Sequence, residues 1–251
     1  MRALLSDIAT CLGFYTRLPV PAGWQAVGRF ARAQWAAPVA GFAVGLIVAA
    51  ALWLGGALGL SPQAAAAAAL GLSMLATGAL HEDGLADVAD GFGGGRTRHA
   101  KLAIMKDSRI GAYGTLALIV TVLIRWSALA ALASAGGPLA LLALPAAHAA
   151  SRALLPAFMM ALPPARGDGL SAGIAGMEAR TALAALALGF LVLLPGGVWF
   201  ALAASLLLAL WFLALAALSR RQIGGQTGDV LGTLQQGGEI AVLLCASTLL
   251  A

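Results

Sequence analysis

The chain has 251 residues, of which 61% are apolar and 10% are charged, against roughly 25% charged residues in an ordinary soluble domain. A soluble fold of this length could not bury so much apolar surface, so the composition excludes an ordinary soluble protein and predicts an integral membrane protein. The formal net charge of +5 does not indicate a nucleic-acid partner, because the basic residues form no single patch and lie in loops between apolar stretches.

The N-terminal stretch predicts a helix that lies in the membrane interface. Its apolar run is short, is interrupted by Asp7 and is not followed by a small-residue cleavage site, which argues against a signal peptide. Cys11 in this stretch and Cys245 near the other end of the sequence both lie in apolar surroundings. Their distance along the chain implies no disulfide framework.

Apolar segments follow along the chain, and several are close to the roughly 20 residues that a helix needs to cross a bilayer. We expect an all-α fold, a polytopic transmembrane helical bundle of about six to seven spans in which residues 1–251 form a single membrane domain. The two short segments, 182–197 and 238–251, leave the number of crossings open. The apolar segments are 36–60, 64–80, 112–133, 138–162, 182–197, 198–218 and 238–251.

Positive charge alternates along the chain. Every second connection between apolar segments is basic, and the connections between them are short and neutral. The positive-inside rule therefore places all the basic connections in the cytoplasm. The basic parts are the N-terminal segment, 81–111, 163–181 and 219–237, and the neutral parts are 61–63, 134–137 and 195–197.

Four of the ten carboxylates fall in the short run HEDGLADVADG. On a helix Asp83, Asp87 and Asp90 share one face within about 60°, where like charges repel one another. A divalent cation would compensate them, and oxygen ligands suit Mg²⁺ or Mn²⁺ better than zinc. Because the three carboxylates extend over about 10 Å of helix, two ions sharing Asp87, or ligands from a second helix, would be easier to build than one ion alone. The alternative is a solvated acidic helix end.

Basic residues follow the acidic run. Lys106, Asp107 and Arg109 stand just before the next apolar segment, where the two cations suit phosphate oxygens and Asp107 could complete a metal shell or act as a base. The alternative is an ordinary basic loop. Arg96 ends a glycine-rich run that either allows close approach of a ligand or forms a flexible turn.

Polar residues in other connections could contact a substrate. Gln226, Thr227 and Asp229 lie in the run GGQTGDVLG, which could hold an alcohol or a nucleotide, or could simply form a helix–helix turn. Arg17 lies in a stretch that its prolines keep extended, from which it could reach a phosphate at the interface.

Arg125 and Arg152 fall inside predicted spans, where a buried charge is expensive and needs a partner. We expect Arg125 to pair with a carboxylate or a carbonyl. His148 and Arg152 are four residues apart and share a helical face. Arg152 therefore forms either a structural polar pair with His148 or a contact with substrate.

Several runs of the sequence, taken together, resemble the cobalamin synthase family, the adenosylcobinamide-GDP ribazoletransferases. The similarity extends from about Phe14 to Glu239, and the acidic run together with KDSRIGAYG is highly specific. The matching runs, in chain order, are FYTRLPVP, PVAGFAVG, HEDGLADVADGFGGG, IMKDSRIGAYG and GGQTGDVLG.

This resemblance implies a late step of cobalamin assembly. Adenosylcobinamide-GDP would be joined to α-ribazole, or to its 5′-phosphate, with release of GMP. A ribose hydroxyl of the ribazole would attack the phosphorus attached to cobinamide, while Mg²⁺ and arginine meet the charge on the departing GMP. Both substrates are made in the cytoplasm, so the resemblance implies a multi-pass protein of the bacterial inner membrane whose active site faces the cytoplasm.

Roles for the individual residues follow from this chemistry. The resemblance leaves open a homo-oligomer and contacts with other enzymes of cobalamin assembly. The expected metal ligands are Asp83, Asp87 and Asp90, the expected catalytic residues are Asp107, Asp90, Arg109 and Lys106, and the expected substrate contacts are Arg17, Arg96, Gln226, Thr227, Asp229 and Arg152.

Other functions remain as alternatives. Phosphotransferases that act on CDP-alcohols carry a D-x-x-D-G run like Asp87–Gly91, but the A-R pair that follows it there is not matched in this chain. An ion-coupled transporter would place its acids near the middle of the membrane and not at a helix end. A structural scaffold would leave the acidic run unexplained.

Overall fold

A computed structural model describes residues 2–21, 23–25, 28–167 and 177–251. Every regular element within these ranges is a helix, and the connection at 163–181 lies partly outside them because residues 168–176 are not described. The helices are α1 (Arg2–Tyr15), α2 (Phe30–Ala33), α3 (Ala37–Ala57), α4 (Pro62–Thr77), α5 (Leu80–Gly94), α6 (Arg98–Ile104), α7 (Ala112–Ala135), α8 (Pro138–Ala161), α9 (Ala179–Leu191), α10 (Val198–Ile223) and α11 (Gly228–Leu249).

The helices confirm the expected all-α, multi-pass membrane fold. In the described part of the chain, five helical segments are long and apolar enough to cross a membrane, and α4 with α5 would make a sixth if that bent pair is one span. The prediction of about six to seven spans therefore agrees with the structure only at its lower value. The five segments are Phe30–Ala57, Ala112–Ala135, Pro138–Ala161, Ala179–Gly196 and Val198–Ile223.

The structure corrects the prediction of a connection at 219–237. Most of it is helical, because α10 continues to Ile223 and α11 begins at Gly228. Hydropathy misses the first half of α11 because Gln235 and Gln236 interrupt the apolar pattern there, and Glu239 follows as a further polar residue. These three side chains are buried inside the bundle, where other polar groups bond them.

Helix α8 lies at the centre of the bundle and is largely buried. It packs closely on α3 because glycines remove the side chains between the two backbones. A Cβ atom at Gly41 would lie 2.1 Å from the carbonyl oxygen of His148, and one at Gly45 would lie 2.4 Å from the Cα of Pro145. Close approach of helix backbones through small residues is the usual way that helices associate in a bilayer.

A sharp bend separates α4 from α5. Gly78 and Ala79 both have positive φ angles, 63° and 55°, and the axes of the two helices differ by 89°. Such a left-handed turn favours glycine and is uncommon for alanine. The bend turns the acid-bearing helix α5 across the bundle, where it packs against α7 and α11.

A network of buried charges joins the helices around α5. Arg125 of α7 is 1% exposed and pairs with Glu82 of α5 at 2.7 Å and with Glu239 of α11 at 2.8 Å. Glu239 also contacts Nδ1 of His148 on α8 at 3.0 Å. The prediction that Arg125 pairs with a carboxylate is thus confirmed, and each Arg125 pair joins two helices far apart in sequence.

Candidate functional site

Two adjoining cavities lie where the end of α1, the α4–α5 bend and the start of α11 meet. One has a volume of about 200 Å³ and includes Asp83 and Asp229 in its lining. The other has a volume of about 420 Å³, is more polar and is lined by Arg17 and again by Asp83. Asp83 therefore lies at the boundary between a largely apolar cavity and a polar one.

The first helical turn of α11 brings another carboxylate to α5. Gly84 lies directly over the backbone of Asp229, where a Cβ atom would be 2.9 Å from both the Cα and the carbonyl oxygen of Asp229. Thr227 is the N-cap of α11, since its hydroxyl accepts a hydrogen bond from the amide of Val230 at 3.3 Å. The loop before α11 thus forms the turn that the sequence left open, and it also delivers Asp229 to the acidic helix.

Asp87 is half-buried among carboxylates and lies on α5, outside the five apolar spans. Burial raises the pKa of Asp87 to about 7. The negative charges of Asp229, Asp83 and Asp90 add to this rise in pKa, and Arg166 opposes it. The carboxylates from the two helices therefore form a region of excess negative charge.

Asp90 has a clear structural role. Its carboxylate accepts hydrogen bonds from the amide of Gly111 at 2.7 Å and from the amide of Gly114 at 2.9 Å, at the N-terminus of α7. A carboxylate at this end of a helix also interacts favourably with the positive end of the helix dipole. Each oxygen keeps a second lone pair, so a further role for Asp90 as a metal ligand stays a prediction.

Asp229 has a cationic neighbour that sequence reasoning did not assign to the site. Arg166 donates to its carboxylate at 2.5 Å, and the hydroxyl of Thr227 donates to the same oxygen at 3.2 Å. Burial raises the pKa of Asp229, while the charge of Arg166 opposes that rise. The sequence showed Arg166 only as part of a basic loop, because its partner lies more than sixty residues away along the chain.

The other expected substrate contacts of this loop are fixed by backbone bonds. Gln226 exchanges hydrogen bonds with the 163–165 segment, through its amide to the carbonyl of Pro163 at 2.9 Å and through its carbonyl to the amide of Ala165 at 2.8 Å. The Gln226 side chain is buried, and its Oε1 atom has no hydrogen-bond partner within the described ranges. Whether it contacts substrate stays a prediction.

The expected catalytic residues after α6 lie at the surface. Asp107 and Arg109 pair with each other, with Arg109 Nη2 at 2.6 Å from Asp107 Oδ2. Arg109 holds the pKa of Asp107 down at about 2. Lys106 and Arg96 are exposed. The loop is nevertheless tethered to the acidic helix, because Gly111 at its end bonds to Asp90.

Arg17 and Arg152 have different surroundings. Arg17 is exposed and packs on the α4–α5 bend, where a Cβ atom at Gly78 would lie 2.5 Å from its Nε. Arg152 is 1% exposed and donates to the carbonyl of His148 at 3.0 Å. Arg17 is therefore accessible to a phosphate in the polar cavity, and Arg152 forms the structural contact that was one of its two sequence interpretations.

The carboxylates fit a hard divalent cation by their chemistry. Carboxylates from α5 and α11 lie near Asp87, and the positive charge of Arg166 does not fully offset their negative charge. Within the described ranges, no group of three or more His, Cys, Asp or Glu side chains is already arranged to hold a metal ion. Mg²⁺ does not need such a cage, because it usually binds through one or two carboxylates together with water and substrate phosphates.

Comparison with known proteins gives a consistent result. Residues 7–247 match the family described as cobalamin-5-phosphate synthase. A protein of Mesorhizobium japonicum named adenosylcobinamide-GDP ribazoletransferase is 55% identical over 100% of this chain and 96% of its own. A protein of the same name from Bradyrhizobium diazoefficiens is 53% identical over 98% of this chain and 95% of its own. No solved structure matches the chain.

Proposed function

We propose that this chain, which belongs to the cobalamin-5-phosphate synthase family, is an adenosylcobinamide-GDP ribazoletransferase. It would join adenosylcobinamide-GDP to α-ribazole or to its 5′-phosphate and release GMP. The observation that carries this proposal within the structure is the convergence of Asp83, Asp87 and Asp229. Asp83 and Asp229 line one cavity, and Asp83 lines the adjoining cavity together with Arg17. Cations and carboxylates together suit a pyrophosphate donor and the charge that develops on its departing half.

The reaction exchanges one phosphate ester bond for another. A ribose hydroxyl oxygen of the ribazole forms a bond to the phosphorus next to cobinamide. The bridging P–O bond of the pyrophosphate breaks, and GMP leaves with the bonding electrons. The proton of the hydroxyl passes to a base, and Asp83 and Asp229, which line the smaller cavity, are the carboxylates that the fold brings to it.

We propose Mg²⁺ as the cation of this site. Asp83 and Asp87 would hold it from α5, together with Asp229 or the free lone pairs of Asp90. Bound there, Mg²⁺ would neutralise the phosphate oxygens and stabilise the charge on GMP as it departs. Asp229 was expected only as a substrate contact, and the crossing of α11 over Gly84 adds it to the candidate ligands.

The cations are proposed to position the donor. Arg17 would contact a phosphate from the polar cavity. Lys106 and Arg109 would do so from the loop that Asp90 tethers to α5, with Asp107 released from Arg109 when a phosphate takes its place. A bidentate guanidinium suits phosphate and carboxylate alike, so such an exchange preserves the geometry of the pairing.

The site is proposed to face the cytoplasm of the inner membrane. The basic residues occur in the N-terminal segment and in every second connection. All three basic connections, 81–111, 163–181 and 219–237, contribute residues to the site. A homo-oligomer and contacts with other enzymes of cobalamin assembly stay predictions.

The test is release of GMP from adenosylcobinamide-GDP by protein purified in detergent. We expect release only when both α-ribazole and Mg²⁺ are supplied, and none after chelation by EDTA. Asp87→Asn should lose at least about a hundredfold in turnover, because removal of one charge-stabilising group costs about that factor. Glu178→Gln, which changes an exposed carboxylate paired with Arg180, is the matched control.

Two results would contradict the proposal. Full turnover in Asp87→Asn would remove that residue from the cation site, and turnover unaffected by EDTA would remove the cation. Transfer from CDP-diacylglycerol, with no release of GMP from adenosylcobinamide-GDP, would favour a phosphotransferase that acts on CDP-alcohols.

A further inference from the structure

His81 begins the acidic run and has no partner of its own. It lies in the first turn of α5 and is 2% exposed, yet neither of its ring nitrogens has a hydrogen-bond partner among the residues that the structure describes. Nearly all buried polar side chains in proteins are hydrogen-bonded, so such a group points to a missing partner. Neither the cation site nor the phosphate contacts described above use His81.

The unpartnered imidazole lines the smaller cavity. Apart from the carboxylates Asp83 and Asp229, its walls are mainly apolar and include Phe14, Leu155 and Met159. Tyr15 forms another wall, with its ring within 16° of parallel to His81 and the two ring centroids 6.1 Å apart. The hydroxyl of Tyr15 donates to Gln34 at 2.6 Å, which holds the ring in place. The cavity therefore offers aromatic and apolar walls with a single neutral polar group between them.

We propose that this cavity takes the base of the acceptor nucleoside, a flat bicyclic azole with one free ring nitrogen, and that an N–H of His81 donates a hydrogen bond to that nitrogen. The proposal rests on the proposed function, because α-ribazole is the acceptor of that reaction. Its base carries two methyl groups on the ring edge away from the azole. The side chains of Leu155 and Met159 suit these methyl groups.

The number of polar groups distinguishes this base from the other candidate, the guanine of the donor. Guanine has several donors and acceptors along its edges, and most of them would lose their hydrogen bonds against Phe14, Leu155 and Met159. Each such loss costs free energy, which is how binding sites reject a ligand of the wrong polarity. The ribazole base has one free nitrogen, and the cavity offers one unpartnered imidazole. The match favours the acceptor.

The neighbouring carboxylates agree with this placement. With the base beside His81, the ribose would lie toward Asp83 and Asp229 at the same cavity. Asp83 also lines the polar cavity that contains Arg17. The ribose hydroxyl would thus lie between its base and the phosphates of the donor, as transfer requires.

A pair of acceptors tests the hydrogen bond directly. One is α-ribazole, and the other is the riboside of 5,6-dimethylindole, which has a carbon in place of the free ring nitrogen and keeps both methyl groups. We expect wild-type protein to bind α-ribazole about tenfold more tightly, as for one hydrogen bond to a neutral group. Equilibrium dialysis without donor or Mg²⁺ measures this preference independently of turnover.

The variant His81→Phe keeps a flat ring of similar shape but removes the donor. We expect it to bind both ribosides alike and to show a raised KM for α-ribazole with an unchanged KM for adenosylcobinamide-GDP. His99→Phe makes the same change at an exposed histidine and should keep the tenfold preference.

Several outcomes would overturn the proposal. One is that His81→Phe keeps the tenfold preference for α-ribazole. The others are a shift in the KM for the donor alone and equal binding of both ribosides by wild-type protein. The last result applies even if His81→Phe does not fold. If the preference is present in dialysis but wild-type protein releases no GMP, the cavity assignment stands and the proposed reaction fails.

Discussion

Asp87 and Asp90 are three residues apart on α5, yet their surroundings differ. Asp90 is buried and bonded by two backbone amides of the α7 N-terminus. Asp87 is half-buried beside other carboxylates and has a raised pKa. The first arrangement stabilises the fold, whereas the second leaves a charge uncompensated. Helical spacing places both residues on one face, but only their neighbours on other helices separate these roles.

The variant Asp90→Asn should lose stability. An asparagine has a single acceptor oxygen, so one of the two amides at Gly111 and Gly114 would lose its partner. We expect a loss of about 1–3 kcal/mol in the free energy of unfolding, the usual cost of an unpaired buried donor. Thermal unfolding in detergent would measure it, and an unchanged midpoint would show that the two hydrogen bonds do not stabilise the fold.

The variant Asp87→Asn, unlike Asp90→Asn, should gain stability at neutral pH. Because the pKa of Asp87 is raised in the folded protein to about 7, folding binds a proton between about pH 4 and 7, so the stability of the wild type falls as pH rises through this range. Without Mg²⁺ we expect the variant to be the more stable protein at pH 7.5 and the two to converge as the pH falls to about 4. A variant that is less stable than wild type at pH 7.5 would show that Asp87 is compensated within the protein.

Helices α5 and α11 cross at Gly84, and this crossing is what assembles the site. The backbone of Asp229 occupies the space where a side chain at position 84 would lie. The sequence predicted an acidic helix and suggested that a second helix could supply ligands. It did not identify α11, because neither hydropathy nor spacing shows which helices pack together. The same limitation hid Arg166, whose contact with Asp229 forms only when the two connections meet.

Substitution of glycine by alanine at two positions should distinguish the effect of the close helix crossing from the effect of helix propensity. Gly84→Ala places a Cβ atom 2.9 Å from the Asp229 backbone, so α5 and α11 must shift. We expect a loss of about 1–3 kcal/mol in the free energy of unfolding, together with most of the GMP release.

Gly71→Ala is the control within α4. It meets nothing within 4 Å, and it should stabilise the protein by about 0.5–1 kcal/mol through helix propensity. Equal effects of the two substitutions on thermal unfolding and GMP release would show that the close crossing is not required.

Across the whole molecule, the long apolar segments predicted the positions of the helices, and buried charged side chains determine how the helices are joined. The sequence located most of the helices because lipid-facing residues need only be apolar. It mistook the start of α11 for a loop, since Gln236 was interpreted as a surface residue, and it gave Glu239 no partner inside the bundle. In the structure both are bonded to Arg125 on α7, so their polarity is satisfied inside the bundle. A pattern along one helix cannot show a partner on another.

Breaking this network should be costly. Arg125→Met leaves the carboxylates of Glu82 and Glu239 buried without their cation, and we expect a loss of about 3–5 kcal/mol. Arg180→Met removes an exposed partner of Glu178 and should change the free energy of unfolding by less than about 1 kcal/mol. Thermal unfolding of the two variants in the same detergent compares them, and equal losses would mean that the buried network does not hold α5, α7 and α11 together.

The most direct measurement is the binding of Mn²⁺, as a paramagnetic substitute for Mg²⁺, by electron paramagnetic resonance with adenosylcobinamide-GDP present. Wild-type protein and Glu178→Gln should bind the ion alike. Asp87→Asn on α5 and Asp229→Asn on α11 should each weaken Mn²⁺ binding at least about tenfold, since each removes the negative charge of one carboxylate ligand. Affinity that is unchanged in both variants would contradict a cation held between these two helices.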